Sequence, residues 1–235
     1  PALPGWKLED ILPALADRAV RFIGEPAAAK KPFLLYLPLT SPHTPLAVNP
    51  GWKGKSGLNN DFADLVMETD AVIGRVLEAL KAGGVEKDTF VLFTSDNGCA
   101  PYIGVPPLEA QGHFPSGPLR DYKTSVHEGG HRVPFVVKWP GVVKAGTVCK
   151  QLVLQADTLA TLAEILGSTL PQNAGEDSFS LMPLLKGVDH PIRTHAVNTA
   201  CGTTGTAVHA SGGIPGDIHK LWRSHAPNDY HSEYG

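Results

Sequence analysis

The sequence predicts an α/β fold built on a mainly parallel sheet flanked by helices. Two short apolar runs, 32–39 (PFLLYLPL) and 89–94 (TFVLFT), are typical of strands that are buried on both faces. Between them, apolar residues recur at helical spacing from Asp61 onward, and the pattern stops at Gly83-Gly84. This strand, helix, strand order is a βαβ unit, so we expect the two strands to be parallel neighbours or near neighbours.

The other elements follow from the same patterns of apolar spacing and capping residues. They are a helix over 10–23 with Asp10 at its N-cap, strands over 133–139 and 152–154, a helix over 157–166 capped by Asp157, and a turn over 181–185. The stretch 98–121 is rich in Pro and Gly and has no periodicity, which favours a functional loop. Near residue 190 the composition changes, so the predicted organisation is one domain part over 1–190 and an unassigned tail over 191–235.

Composition excludes several classes of protein. The chain has 235 residues, 42% of them hydrophobic and 18% charged, which is typical of a globular domain rather than a disordered chain. Its net charge of -3 provides no field for nucleic acid, so no nucleic-acid partner is predicted. No apolar stretch reaches transmembrane length, and the three cysteines form no CxxC pair.

Oxygen ligands follow the second predicted strand. Asp96 and Asn97, in Ser95-Asp96-Asn97-Gly98, stand where ligands bind in α/β sheets, beyond the carboxyl end of a strand. Carboxylate and amide oxygens suit Ca²⁺ or Mg²⁺. The same residues also fit an Asx turn that only closes a loop.

Two further segments carry candidate chemistry. His43 stands in Ser-Pro-His-Thr-Pro after the first predicted strand, where a fixed imidazole can donate to an anion or act as an acid or base. The segment 121–134 offers the cations Lys123 and Arg132 and the pair Gly129-Gly130, which permits close backbone approach. A solvated histidine and a plain charged loop are the alternatives.

Together these stretches resemble a known family. PFLLYLPLTSPHTP, TFVLFTSDNG and YKTSVHEGGHRVPFVVKWPG, in this order, are similar to the type I sulfatases of the alkaline phosphatase superfamily, including arylsulfatases and N-acetylgalactosamine-6-sulfatases. The resemblance covers roughly 3–193. It implies an incomplete alkaline-phosphatase-like α/β fold and a hydrolase of sulfate esters.

The resemblance also implies roles for individual residues. Asp96 and Asn97 would bind one calcium ion, and His43 and Lys123 would contact the sulfate ester. Gly129, Gly130 and Arg132 would order the loop that presents Lys123. His113, in the stretch 101–120, is a candidate for contact with the substrate, and a solvated loop is the alternative there.

The sequence departs from the family at the nucleophile. The family converts Cys or Ser in a C/S-x-P/A-x-R motif to formylglycine, and none of the three cysteines stands in such a motif. Ser116-Gly117-Pro118-Leu119-Arg120 has the spacing of the Ser form, but it follows the Asp96-Asn97 turn, whereas the nucleophile of the family precedes the helix that opens this chain. We therefore expect a partial sulfatase whose nucleophile, together with the rest of the calcium site, lies upstream of Pro1, and no turnover by this chain alone. A non-catalytic binding module, and a phosphoesterase or phosphonate hydrolase of the same superfamily, are the alternatives.

Substrate, partner and compartment are implied by similarity alone. The expected substrate is a carbohydrate or aryl sulfate ester, and the expected partner of the full-length protein is a formylglycine-generating enzyme. The resemblance places the protein in the periplasm, outside the cell or in the lysosome.

Overall fold

The computed structural model describes residues 5–199 and 206–210, which form two compact units. The first unit holds the residues up to Thr89 together with Tyr102–Pro115. The second holds Phe90–Pro101 and the residues from Ser116 onward. Most of the predicted tail, 191–235, lies outside the described residues.

The first unit is built on two helices. Helix α1 spans Ile11–Ala29 after a 3₁₀ turn, Leu8–Asp10, and helix α2 spans Asp61–Ala82. Their apolar faces meet in a core that also includes the buried Val48. The buried members of that core, spaced as an amphipathic helix requires, are Leu12, Ala16, Leu65 and Val72.

Both predicted helices are confirmed, with different ends. The N-cap of α2 is Asn60, whose side chain accepts a hydrogen bond from the amide of Ala63 at 3.1 Å. Asp10 stands at the N-cap of α1 but makes no capping hydrogen bond through its side chain. Helix α1 continues past Gly24 and Pro26 and ends at Lys30, whose φ of 53° is left-handed.

Two buried carboxylates of α2 hold the loop that precedes it. Asp64 accepts hydrogen bonds from the amides of Gly54 at 2.7 Å and Ser56 at 2.8 Å. Burial alone would raise the pKa of Asp64, but these hydrogen bonds and the charge of Lys53 lower it below its ordinary value. One turn later, burial raises the pKa of Glu68.

The prediction of a buried strand over 32–39 is wrong. The segment is extended, but it has no strand assignment, and its residues alternate between partly buried and exposed. Leu34 is 71% exposed and Tyr36 is 84% exposed. A strand needs a hydrogen-bonded neighbour, and none pairs with this segment in the described part of the chain.

The second unit contains a small antiparallel sheet. Strands β1, Val91–Thr94, and β2, Phe135–Lys138, pair with Val91 opposite Lys138. Both strands were predicted, but longer. The expected parallel pairing is not what the described residues show for β1, since its neighbour β2 runs antiparallel. Just beyond the Val91–Lys138 pair, the rings of Phe90 and Trp139 pack edge to face with their centroids 5.4 Å apart.

The stretch 98–121 is more ordered than the sequence indicated. It contains a 3₁₀ turn, Pro101–Ile103, and helix α3, Val105–Ala110, and it is divided between the two units. Ile103, Val105 and Leu108 are buried, so short apolar spacing anchors this segment to the first unit. The missed helix has only six residues, too few for a periodic signal.

The second unit also contains three short helices: α4, Glu128–His131; α5, Asp157–Ile165; and α6, Met182–Leu185. Helices α5 and α6 were predicted. The predicted strand over 152–154 is wrong, because the amide of Leu154 donates to the Asp157 carboxylate at 2.7 Å instead of joining a sheet. Asp157 is therefore the first residue of α5, and Ala156 is the N-cap.

Asp157 also forms a buried ion pair. Its carboxylate accepts hydrogen bonds from Arg193 and from the amide of Phe179, and the Arg193 guanidinium lies 4.8 Å from the Phe179 ring centroid. Beyond Arg193, strands β3, His195–Thr199, and β4, Thr206–Ala210, pair antiparallel.

Candidate functional site

The turn after β1 carries the predicted metal ligands. Ser95 donates to the carbonyl of Asn97 at 3.0 Å, and the Asn97 amide nitrogen donates to the carbonyl of Gly98 at 3.0 Å. The amide oxygen of Asn97 thus remains available as a ligand, and the Asp96 carboxylate is exposed. Gln155, two residues before the start of α5, donates to the carbonyl of Ser95 and holds the turn in place.

Glycines lock this turn against the segment that leads into β2. The amide of Gly98 donates to the carbonyl of Gly130 at 2.9 Å. A Cβ on Gly98 would lie 1.8 Å from the carbonyl oxygen of Gly129, and a Cβ on Gly129 would lie 1.9 Å from that of Asp121. Real Cβ atoms do not approach so closely, so the backbones can meet this way only where side chains are absent.

The backbone of Lys123 is hydrogen-bonded to the segment that follows the Asp96-Asn97 turn. Its amide donates to the carbonyl of Cys99 at 2.7 Å, two residues after Asn97. The segments that carry Asp96, Asn97 and Lys123 therefore run side by side within one unit. The arrangement places oxygen ligands for a cation and a cationic amine for an anion on neighbouring backbone.

Cys99 lies two residues after Asn97, and its burial disfavours the thiolate form. Its thiol is half-buried, and burial raises its pKa to about 11. At neutral pH the thiol therefore stays protonated, whereas a reactive cysteine needs the thiolate.

The metal ligands from this chain are few. In the described part of the chain, no group of three or more His, Cys, Asp and Glu side chains is arranged to hold a metal ion. Asp96 and Asn97 have the hard oxygen chemistry that Ca²⁺ prefers, but Ca²⁺ takes about six to eight oxygen ligands. The two side chains fit part of a calcium site and cannot form a whole one.

His43 lies in the first unit, in the turn that follows the extended segment 32–39. Its ring Nδ1 lies 2.7 Å from the carbonyl of Thr44, so Nδ1 carries a proton and donates it. The Ser41 hydroxyl lies 2.7 Å from that of Thr69 on α2, which ties the turn to the helix. The exposed imidazole lines a cavity of about 220 Å³, together with Thr40 and Pro45.

The structure does not bring His43 and His113 into the same unit as the other predicted residues. His113 follows α3 in the first unit and is exposed, with its amide bonded to the carbonyl of Leu108 at 3.0 Å. Arg132 lies in the second unit, where it pairs with Glu128 across one turn of α4 at 2.8 Å. The roles predicted for these residues stay predictions.

Sequence reasoning missed a cluster beside Lys123. Asp121, Ser125 and His127 converge through their side chains, and His127 is buried. The only signal in the sequence is three polar residues at short intervals in a loop, a pattern that is common where nothing is organised. Asp157 and Arg193, 36 residues apart, were likewise not predicted as a pair.

Comparison with known proteins identifies the family. The family model described as Sulfatase matches residues 12–168. An N-acetylgalactosamine-6-O-sulfatase of Bacteroides thetaiotaomicron is 34% identical over 202 residues, which are 85% of this chain and 39% of the relative. A steryl-sulfatase of Mus musculus is 38% identical over 173 residues, which are 74% of this chain and 27% of the relative.

A solved structure agrees with the sequence matches. A protein from glycosaminoglycan metabolism in Bacteroides thetaiotaomicron superimposes with a TM-score of 0.79 at 32% identity, over 87% of this chain and 42% of that one. This confirms the predicted α/β, alkaline-phosphatase-like fold class. Within the described ranges, no helix is both long and apolar enough to cross a membrane. The chain spans about two fifths of the Bacteroides relative and less of the mouse enzyme, and it belongs to the sulfatase family.

Proposed function

We propose that this chain carries part of the active site of a sulfuric ester hydrolase that acts on carbohydrate or aryl sulfate esters. One observation carries the proposal: two backbone hydrogen bonds, Gly98 to Gly130 and Lys123 to Cys99, hold the Asp96-Asn97 turn beside Lys123. Hydrolysis of a sulfate ester needs fixed positive charge around the sulfonate oxygens, where negative charge is held in the transition state. Lys123 would supply one such charge, and a cation held by Asp96 and Asn97 would supply the other.

Asp96 and Asn97 are proposed as ligands of a calcium ion. Both present oxygen atoms, and the amide nitrogen of Asn97 is already used by its hydrogen bond to Gly98. When bound, the ion supplies positive charge to the sulfonate group. An exposed carboxylate next to a cationic lysine segment also favours a site that is open to solvent and substrate.

Lys123 and His43 are proposed to contact the ester. Lys123 provides a compact cation with three donors for sulfonate oxygens. His43 donates through Nδ1 to Thr44, so its Nε2 is the ring atom left to exchange a proton with the leaving-group oxygen. His113 and the carbohydrate nature of the substrate stay proposals based on similarity, as do the formylglycine-generating partner and an exported or lysosomal location.

Calcium titration tests the metal part of the proposal. Because Asp96 and Asn97 form only part of a calcium site, we expect isothermal titration calorimetry of this chain to show weak Ca²⁺ binding. Asp96→Asn should weaken it further by about tenfold, the size expected for a lost charged ligand. Glu176→Gln is the matched control, because it removes one exposed carboxylate elsewhere in the same unit. Equal weakening by both variants would mean that Ca²⁺ responds only to overall charge.

Anion titration tests the other part. We expect Lys123→Ala to weaken sulfate binding about tenfold or more, while Lys150→Ala, which removes an exposed lysine in the same unit, leaves it unchanged. Inorganic phosphate is the comparison ligand. Preference for phosphate over sulfate would move the assignment to a phosphoesterase of the superfamily, and no dependence on Lys123 would remove this residue from the site.

A further inference from the structure

Three side chains close the loop on which Lys123 stands. The Asp121 carboxylate lies 2.5 Å from Nδ1 of His127 and 2.9 Å from the hydroxyl of Ser125. The same hydroxyl accepts a hydrogen bond from the backbone amide of His127 at 3.1 Å. Asp121 and Ser125 thus join two positions that stand on either side of Lys123 in the sequence.

The protons in this cluster can be assigned from the chemistry of its members. An ionised carboxylate only accepts hydrogen bonds, so Nδ1 of His127 and the hydroxyl of Ser125 both donate to Asp121. The hydroxyl keeps its lone pairs for the amide of His127. Every one of these contacts is satisfied at the same time, which makes the three side chains one unit.

The loop needs such a constraint. Asp121 has φ 62° and Thr124 has φ 75°, so the backbone is left-handed on both sides of Lys123 at residues other than glycine. This conformation is unfavourable for residues with a Cβ and persists when surrounding contacts fix it. The cluster joins Asp121 to Ser125, the residue that follows Thr124, and so spans both positions.

The cluster is also anchored at the N-terminus of α4. His127 is 7% exposed and is the N-cap residue of α4, whose Gly129 and Gly130 pack against the Asp96-Asn97 turn. The imidazole therefore connects the loop of Lys123 to the part of the backbone that carries the proposed metal ligands.

We propose that Asp121, Ser125 and His127 form a hydrogen-bonded clamp that positions Lys123 for its anion. His127 is a positioning residue, because it acts through the loop and not on the substrate. Only the identity of the anion depends on the proposed function, because the clamp itself is a structural feature of the loop. The donor at Nδ1 is the essential feature of the histidine.

Three variants test the clamp in this chain. His127→Ala removes the donor, His127→Asn places an amide nitrogen near the position of Nδ1, and His190→Ala is the control, since His190 is exposed in the same unit. Two quantities are measured: hydrogen exchange of the Lys123 and Ser125 amides, and the affinity for sulfate. We expect His127→Ala to speed exchange about tenfold and to weaken sulfate binding about fivefold.

Rescue separates positioning from bulk structure. His127→Asn is expected to restore both quantities to within about twofold of the unmodified chain. If His127→Ala unfolds the unit, Ser125→Ala is used in its place, because it removes two hydrogen bonds and leaves the buried ring packed. Unchanged Lys123 exchange in these variants, or no rescue by Asn, would overturn the clamp.

The two proposals fail in different ways. If Lys123→Ala leaves sulfate affinity unchanged, the proposed function fails, and the exchange rates still decide whether the clamp exists. If Lys123→Ala weakens sulfate binding but His127→Ala changes neither exchange nor affinity, the proposed function survives and the clamp is refuted.

Discussion

Replacing Asp157 by Asn removes one charge from a buried ion pair without changing its shape. The Asp157 side chain is fully buried and its partner Arg193 is 5% exposed. The carboxylate serves three donors: Arg193 and the amides of Leu154, at 2.7 Å, and Phe179, at 3.0 Å. An asparagine offers one oxygen in place of two and turns its NH₂ group toward one of these donors.

The expected cost follows from burial. Removing one partner of a buried pair leaves the other charge uncompensated, which typically costs about 3–5 kcal/mol. For a chain of this length, such a loss lowers the unfolding midpoint by about 6–20 °C. Contact of Arg193 with the Phe179 ring and the carbonyl of Asp177, at 3.1 Å, holds the guanidinium in place and prevents its escape to water.

Thermal and urea unfolding, followed by circular dichroism, measure this loss. Asp189→Asn is the matched control, because Asp189 is exposed, and it should change the free energy of unfolding by no more than about 0.5 kcal/mol. Arg193→Met and the double variant complete a cycle. A cost below about 1 kcal/mol for Asp157→Asn, or a double variant that costs the sum of the two single ones, would refute the reasoning.

Two further predictions concern the Gly-rich contact and acid stability. Gly129→Ala should destabilise the second unit by about 3 kcal/mol or more, because the new Cβ would lie 1.9 Å from the carbonyl oxygen of Asp121; an unchanged urea midpoint would contradict this. Asp64 has a lowered pKa, so its contribution is present above its ordinary value of 3.8 and is lost as pH falls through the lower folded value. Asp64→Asn should therefore lower stability at pH 7 and flatten its decline below about pH 4 in acid titrations followed by tryptophan fluorescence; a wild-type profile would contradict this.

The helices could be predicted because their signal is local. In α2, apolar side chains at helical spacing, a polar cap at Asn60 and the Gly83-Gly84 stop all occur within one stretch of sequence. The turn that follows β1 could be predicted for the same reason, since Asp, Asn and Gly favour it wherever they occur together.

The strands were predicted less accurately than the helices, because a strand forms only when it can hydrogen-bond to a neighbouring strand. The run 32–39 has the apolar composition of a buried strand, yet Leu34 and Tyr36 are exposed, since nothing in the described residues pairs with it. Amino-acid composition also does not show whether two strands pair parallel or antiparallel. The sequence of Val91–Thr94 fits a parallel or an antiparallel neighbour equally well. Only the folded structure shows that its neighbour, Phe135–Lys138, runs antiparallel.

The candidate site shows the same division between local and tertiary information. Lys123 could be predicted from a motif, but the clamp that positions it could not. The clamp depends on a left-handed backbone at Asp121 and Thr124, and the residue types at these positions do not indicate that conformation. Asp and Thr are ordinary loop residues, and glycine would have been the expected choice at both positions. The left-handed backbone of Asp121 and Thr124 is unfavourable, so other contacts must stabilise it. His127 and Ser125 make these contacts, which form only in the folded loop.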